Sequence, residues 1–161
     1  MHTLVKVSGV LGTAAALCSL GTGVAFAGGN GATTFTQTDQ AVSQEFADVN
    51  PCTGETGTTT QTYNDVFHGT INKTGSSFTG TMTGSARFVP DDPASPTYTG
   101  HFQFWFGDEN NLRNGVEHDT ANFRLTGSDG SIITAHENAQ VTMNANGVFT
   151  VSFDKGSITC P

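Results

Sequence analysis

Polar and apolar positions alternate with a period of two along most of this chain. Tyr63, Phe67 and Ile71 fall on one side of a segment whose other side carries Thr62, Asn64, His68 and Thr70. Phe78, Met82, Ala86 and Phe88 alternate in the same way with Thr79, Thr81, Thr83 and Ser85. Tyr98, Phe102, Phe104 and Phe106 alternate with Thr99, His101, Gln103 and Trp105, and Phe149, Val151 and Phe153 with Thr150, Ser152 and Asp154. Successive side chains of a strand point to opposite faces. Each segment therefore reads as a strand with one apolar and one wetted face, the pattern of an antiparallel sheet.

Breaks rich in Gly, Asn, Asp and Pro separate eight such segments, at roughly 33–38, 41–49, 57–72, 77–89, 97–106, 116–126, 131–143 and 148–159. Asp129-Gly130 and Asn146-Gly147 read as two-residue type I′ hairpin turns, which need positive φ at both central positions. Ala41 to Asp48 also fits two helical turns. Short connections throughout predict an all-β fold of about eight antiparallel strands. The expected form is a meander closed into a β-barrel, because closure removes the exposed sheet edges; a β-sandwich satisfies the same alternation.

The first 27 residues are expected to be a signal peptide rather than part of this fold. Lys6 supplies a positive start, Val7 to Val24 is apolar and free of acids, and Ala25-Phe26-Ala27 has the small-x-small form of a cleavage site. The remainder, 28–161, is expected to be one secreted domain with a loose Gly-rich terminus at 28–32. No later run approaches the roughly 18 apolar residues of a membrane span. In an oxidising exterior, the remaining cysteines, Cys52 and Cys160, are expected to pair.

Composition narrows the partners. The net charge is −8, with six Lys and Arg in all, which excludes the basic face that a nucleic-acid binder needs. Twelve Phe supply core-forming area that a disordered chain lacks.

Candidate chemistry is sparse. No nucleophile elbow, P-loop, Rossmann fingerprint or His-Glu-x-x-His helix is present, so a non-catalytic role is favoured over an enzyme, and no cofactor is implied. The leading reading is a secreted binding protein whose aromatic residues, Phe67, Tyr98, Phe102, Phe104 and Phe123, line a barrel around a small apolar ligand. His101 and Trp105 add an amphipathic patch suited to a partner or carbohydrate if they face outward. An alternative takes His68, His101, His118 and His136, on four strands, as ligands for zinc, copper or iron in a metal-binding protein or metal-dependent enzyme. That reading depends on the hairpin at 128–130: a three-residue loop puts His118 and His136 on one face, a two-residue turn on opposite faces. Glu117, Asp119 and Glu137 alternate onto the apolar face, where desolvation would raise their pKa unless a bulge turns them away. A third reading is an extracellular structural or interaction protein.

Several segments carry a resemblance as a set. Asn50-Pro-Cys-Thr-Gly54, Tyr63-Asn-Asp-Val-Phe-His68, Val89-Pro-Asp-Asp-Pro93, Tyr98-Thr-Gly-His-Phe102, Trp105-Phe-Gly107, Thr126-Gly-Ser-Asp-Gly-Ser131 and the closing Cys160 resemble a group of small secreted actinobacterial proteins without an assigned activity. The resemblance implies a secreted, one-domain, all-β protein and no particular site residues.

Overall fold

A computed structural model describes residues 25–29, 31–111 and 113–161, so the segment read as a signal peptide lies mostly outside the described residues. The described chain is all β. Its strands are β1 (Ala25–Gly29), β2 (Ala32–Val49), β3 (Thr56–Asn72), β4 (Gly75–Pro90), β5 (Tyr98–Asn111), β6 (Asn114–Gly127), β7 (Ile132–Asn144) and β8 (Phe149–Thr159). They form one antiparallel sheet in the order β1 to β8, each strand paired with its neighbours in sequence. No helix of the described residues is long and apolar enough to cross a membrane.

The meander is as expected, but the closed barrel is not. Among the described residues no ladder joins β8 to β1 or β2. The free edge of β2 is instead taken from Ala32 to Thr36 by β1, a strand absent from the sequence reading. The two segments expected at 33–38 and 41–49 are one strand, β2, interrupted between Asp39 and Val42 by a bulge. There Gln40 and Ala41 together oppose Asn64, and the Ala41 N–H, at φ 53°, donates to Asn64 Oδ1 at 2.8 Å. Two residues against one restores the alternation, so Phe35, Gln37 and Asp39 share a face with Val42, Gln44 and Phe46. The helical alternative for Ala41 to Asp48 is thereby excluded.

Both glycine turns differ from the two-residue type I′ form, and at 128–130 the three-residue alternative is the one adopted. Gly127 donates to Ser131 O while Gly130 donates to Gly127 O, and Asn144 and Gly147 repeat this with Val148 and Asn144. Only Gly130 and Gly147 have positive φ in these turns; Asp129 and Asn146 do not. Three-residue loops, a type I turn followed by a glycine in the left-handed region, replace the two-residue type I′ turns.

The sheet coils around its apolar face. Phe88, Tyr98 and Ile133 are buried together, with Cys52, Phe123, Leu125 and Ile158 packed against them. These residues come from β4, β5, β6, β7, β8 and the β2–β3 loop, which an uncurled sheet would hold far apart. A Cys52–Cys160 disulfide, with Cα atoms 5.6 Å apart, ties the loop after β2 to the residue after β8 across this end. The buried Asn50 shapes that loop: its Oδ1 accepts from the Cys52 and Thr53 N–H groups and its carbonyl from Gly54. A covalent link thus stands where a closing ladder was expected.

Glycines on the inner face allow the coil. A Cβ on Gly100 would meet the Arg124 carbonyl and Leu125 Cα, and one on Gly84 the backbone of Thr62 and Tyr63. Only a residue without Cβ lets these strands come so close.

Candidate functional site

The unbroken ladders from β3 to β7 assign every strand residue to one of two faces. On the inner face, the end near the disulfide is filled by the buried cluster. The opposite end is open and lined by half-buried rings. Phe67 is the hub, with ring centroids 5.6 Å from Phe35, 5.8 Å from Phe78 and 5.7 Å from Phe106, and Phe104 lies 5.8 Å from Phe106. Gly69 and Gly80 make room for them: a Cβ at Gly80 would strike the Phe106 ring, and one at Gly69 those of Phe35 and Phe78.

Carboxylates border this ring cluster. Asp119 pairs with Phe106, Asp108 with Glu117, Glu137 with Ala121 and Asp154 with Ala139, all on the inner face. The strand cations, Arg87, Arg124 and Lys155, all fall on the other face by the same registers, as do His68, His101, His118 and His136. Lys73 and Arg113 sit in hairpin tips. The acids therefore face one another with no basic side chain from their own face of the strands. Burial, then the charges of Glu117 and Glu137, push Asp119 up to about 6, against a smaller lowering by His118. Burial and Asp154 raise Glu137. Across the cluster, burial and Asp39 raise Asp65. The β6–β7 ladder runs without irregularity through Glu117, Asp119 and Glu137, so no bulge turns these acids away.

The residues expected to line one ligand site divide between the two faces. Phe67, Tyr98, Phe102, Phe104 and Phe123 are inward, whereas His101 and Trp105 are outward and exposed. Tyr98 belongs to the core rather than to a cavity: it is 4% exposed, and its hydroxyl accepts from Ser131 Oγ at 3.0 Å. Phe149 and Phe153 do not share a face. A register shift beside Met143 pairs Phe149 with that inward residue but Phe153 with the outward Gln140. The same shift brings Asp154 inward, which simple alternation along β8 misses.

All four histidines lie on the polar face, since the three-residue loop brings His118 and His136 to one side. They remain in separate places there. His68 Nδ1 bonds Thr36 Oγ1 at 2.8 Å, and His136 Nδ1 bonds Asn122 Oδ1 at 2.7 Å. His118 pairs with Gly107 and Gln140, and His101 with Ser85 and Arg124. Among the described residues no group of three or more His, Cys, Asp or Glu side chains is placed to hold a metal ion. The zinc, copper or iron reading has no geometric support.

Two hollows open on the polar face, of about 820 and 770 Å³. The larger crosses β3 to β8 over Asn64, Gln103, Asn122, Arg124 and His136; the smaller lies over Thr60, Thr62, Arg87, Thr99 and Thr126. His101 borders both.

Comparison of the chain with protein-family models, curated proteins and solved structures gives no match.

Proposed function

We propose that this chain is a non-catalytic, extracellular binding protein that holds an apolar cation at the open end of its inner face. A suitable ligand is an amine or quaternary ammonium group carried on an aromatic or aliphatic body. One observation carries the reading: half-buried rings at Phe35, Phe67, Phe78, Phe104 and Phe106 are bordered by Asp108, Glu117, Asp119, Glu137 and Asp154, and no strand cation shares that face. Ring faces attract cations through their quadrupole and bury the apolar body, while the carboxylates supply the counter-charge. An anionic or neutral ligand of the same shape would leave the acids uncompensated. This replaces the enclosed apolar pocket of a barrel with a half-buried, acid-bordered cluster of rings.

Thermal unfolding with benzyltrimethylammonium, a long-chain alkyltrimethylammonium below its micelle concentration, and a sulfonate with the same apolar body tests the reading. The cations are expected to raise the midpoint, the sulfonate not. The gain is expected to shrink in Phe106→Ala and in Asp119→Asn. Equal shifts with cation and sulfonate, or no shift with either cation, would overturn it.

A further inference from the structure

The polar face carries a second and independent arrangement. Two rows of side chains cross it, Asn64–Thr83–Gln103–Asn122–His136–Ser157 and Thr62–Ser85–His101–Arg124–Thr134. Their hydroxyls and side-chain amides each donate and accept hydrogen bonds, and Arg124 is the one residue lining the 820 Å³ groove with a fixed charge.

Part of this set is held in orientation. His136 Nδ1 bonds Asn122 Oδ1 at 2.7 Å. The bond fixes the two side chains relative to each other and leaves His136 Nε2 and the Asn122 NH₂ for a ligand. Asn64 is fixed likewise, its Oδ1 committed to the Ala41 N–H at the bulge and its NH₂ left over. Beside the groove, Trp105 stands two residues beyond Gln103 on the same face. Its ring lies over Gly107, where a Cβ would meet it at 2.9 Å, and it is 39% exposed. An indole packed beside Gly107 and partly open to solvent offers its exposed ring to the apolar C–H face of a sugar.

From this we infer that the polar face is a glycan-binding groove for an uncharged polysaccharide, with Gln103, Asn122, Arg124 and His136 bonding its hydroxyls and Trp105 packing on a sugar ring. A polyhydroxylated chain needs neighbouring donors and acceptors in alternation, which the rows supply. Its lack of charge matches a groove whose single cation sits in a chain of net charge −8. The hollow is shallow and open to solvent, so a chain lying on it would be received along one side only. The inference does not rest on the inner-face reading, because the two sites share no side chain that bonds a ligand.

Sedimentation of the oxidised full chain with insoluble cellulose, chitin and β-1,3-glucan, three uncharged polysaccharides, tests it. Retention on at least one is expected, displaced by soluble oligosaccharides of that polymer. Gln103→Ala and Trp105→Ala, both exposed and checked for folding by circular dichroism, are each expected to weaken retention about tenfold, the loss of one good hydrogen bond or ring contact. Phe106→Ala, on the other face, is expected to leave it unchanged. No retention on any of the three, or retention that survives both polar-face substitutions, would overturn the inference. Loss in Phe106→Ala alone would assign the binding to the inner face and equally overturn it.

Discussion

Asp119 on β6 stands directly across the ladder from Phe106 on β5, so a carboxylate borders the ring cluster on a face whose strands carry no cation. Its pKa near 6, against an ordinary value of 3.8, has a defined consequence for stability. The folded chain holds this proton more tightly than the unfolded chain, so the contribution is complete below pH 3.8 and is lost as the pH rises through 6. Asp119→Asn is therefore expected to leave stability unchanged near pH 3 and to raise it near pH 8. The shift alone corresponds to about 3 kcal/mol; because the carboxyl is only half-buried, screening reduces the expected gain to about 1 kcal/mol. Urea unfolding of both forms across this range checks the sign and the window.

The disulfide is expected to contribute strongly to stability. It closes a separation of 108 residues, and in the chain-entropy model such a loop contributes about 4–5 kcal/mol through the unfolded state. Here it also fastens the loop after β2 to the residue after β8, between which no ladder runs among the described residues. Cys52→Ser with Cys160→Ser is expected to lower stability by several kcal/mol and to loosen the packing of Phe88, Tyr98 and Ile133 first. Near-UV circular dichroism should fall before far-UV signal does. Mass measurement without reductant should show the native chain two hydrogens lighter than its reduced form.

Inner-face glycines should rank by what stands over them. At Gly80 the neighbour is the far end of the Phe106 side chain, which can turn aside; at Gly100 it is the Arg124 carbonyl and Leu125 Cα, which cannot move unless β5 and β6 part. Gly80→Ala is expected to cost about 1–2 kcal/mol and Gly100→Ala about 3 kcal/mol or more, a ranking that denaturant midpoints would read directly. Gly80→Ala should also displace Phe106 and weaken binding of an aromatic ammonium ion.

How far the sequence can be read depends on whether the deciding pattern is local. In β5, Tyr98, Phe102, Phe104 and Phe106 share a face because strand geometry alone makes them do so. Cys52 and Cys160 were pairable because they are the two cysteines after the segment read as a signal peptide. Closure was not legible, since pairing between distant strands leaves no periodic trace, and β1 takes the β2 edge through residues read as a signal segment and its loose successor. The site was hidden by two one-residue irregularities. The bulge at Gln40–Ala41 has neither Gly nor Pro to announce it, and the shift beside Met143 reverses Phe153 and Asp154. Glu117, Asp119 and Glu137 were visible on the apolar face. Their meaning as a border of acids emerged only with the inward turn of Asp154 and the outward turn of every strand cation.

The β2 bulge gives the last prediction, because it absorbs one extra residue and so keeps both halves of the strand facing the same way. Ala41 adopts φ 53°, a left-handed conformation costing an L-residue roughly 1–2 kcal/mol, and its N–H is held by Asn64 Oδ1. Ala41→Gly removes the steric cost at the expense of some unfolded-state entropy and is expected to stabilise by up to about 1 kcal/mol. Asn64→Ala is expected to destabilise by about 1 kcal/mol through the lost bond. Deleting Ala41 should be tolerated. With the extra residue gone, Asp39, Gln40 and Val42 stand opposite Asp65, Asn64 and Tyr63 in a regular ladder, so Phe35 and Gln37 keep the face they share with Val42 and Phe46. Thermal unfolding should show a gain for Ala41→Gly, a modest loss for Asn64→Ala, and for the deletion a cooperative transition close to that of the native chain. A deletion variant that lost its cooperative transition would mean that the bulge does more than absorb one extra residue.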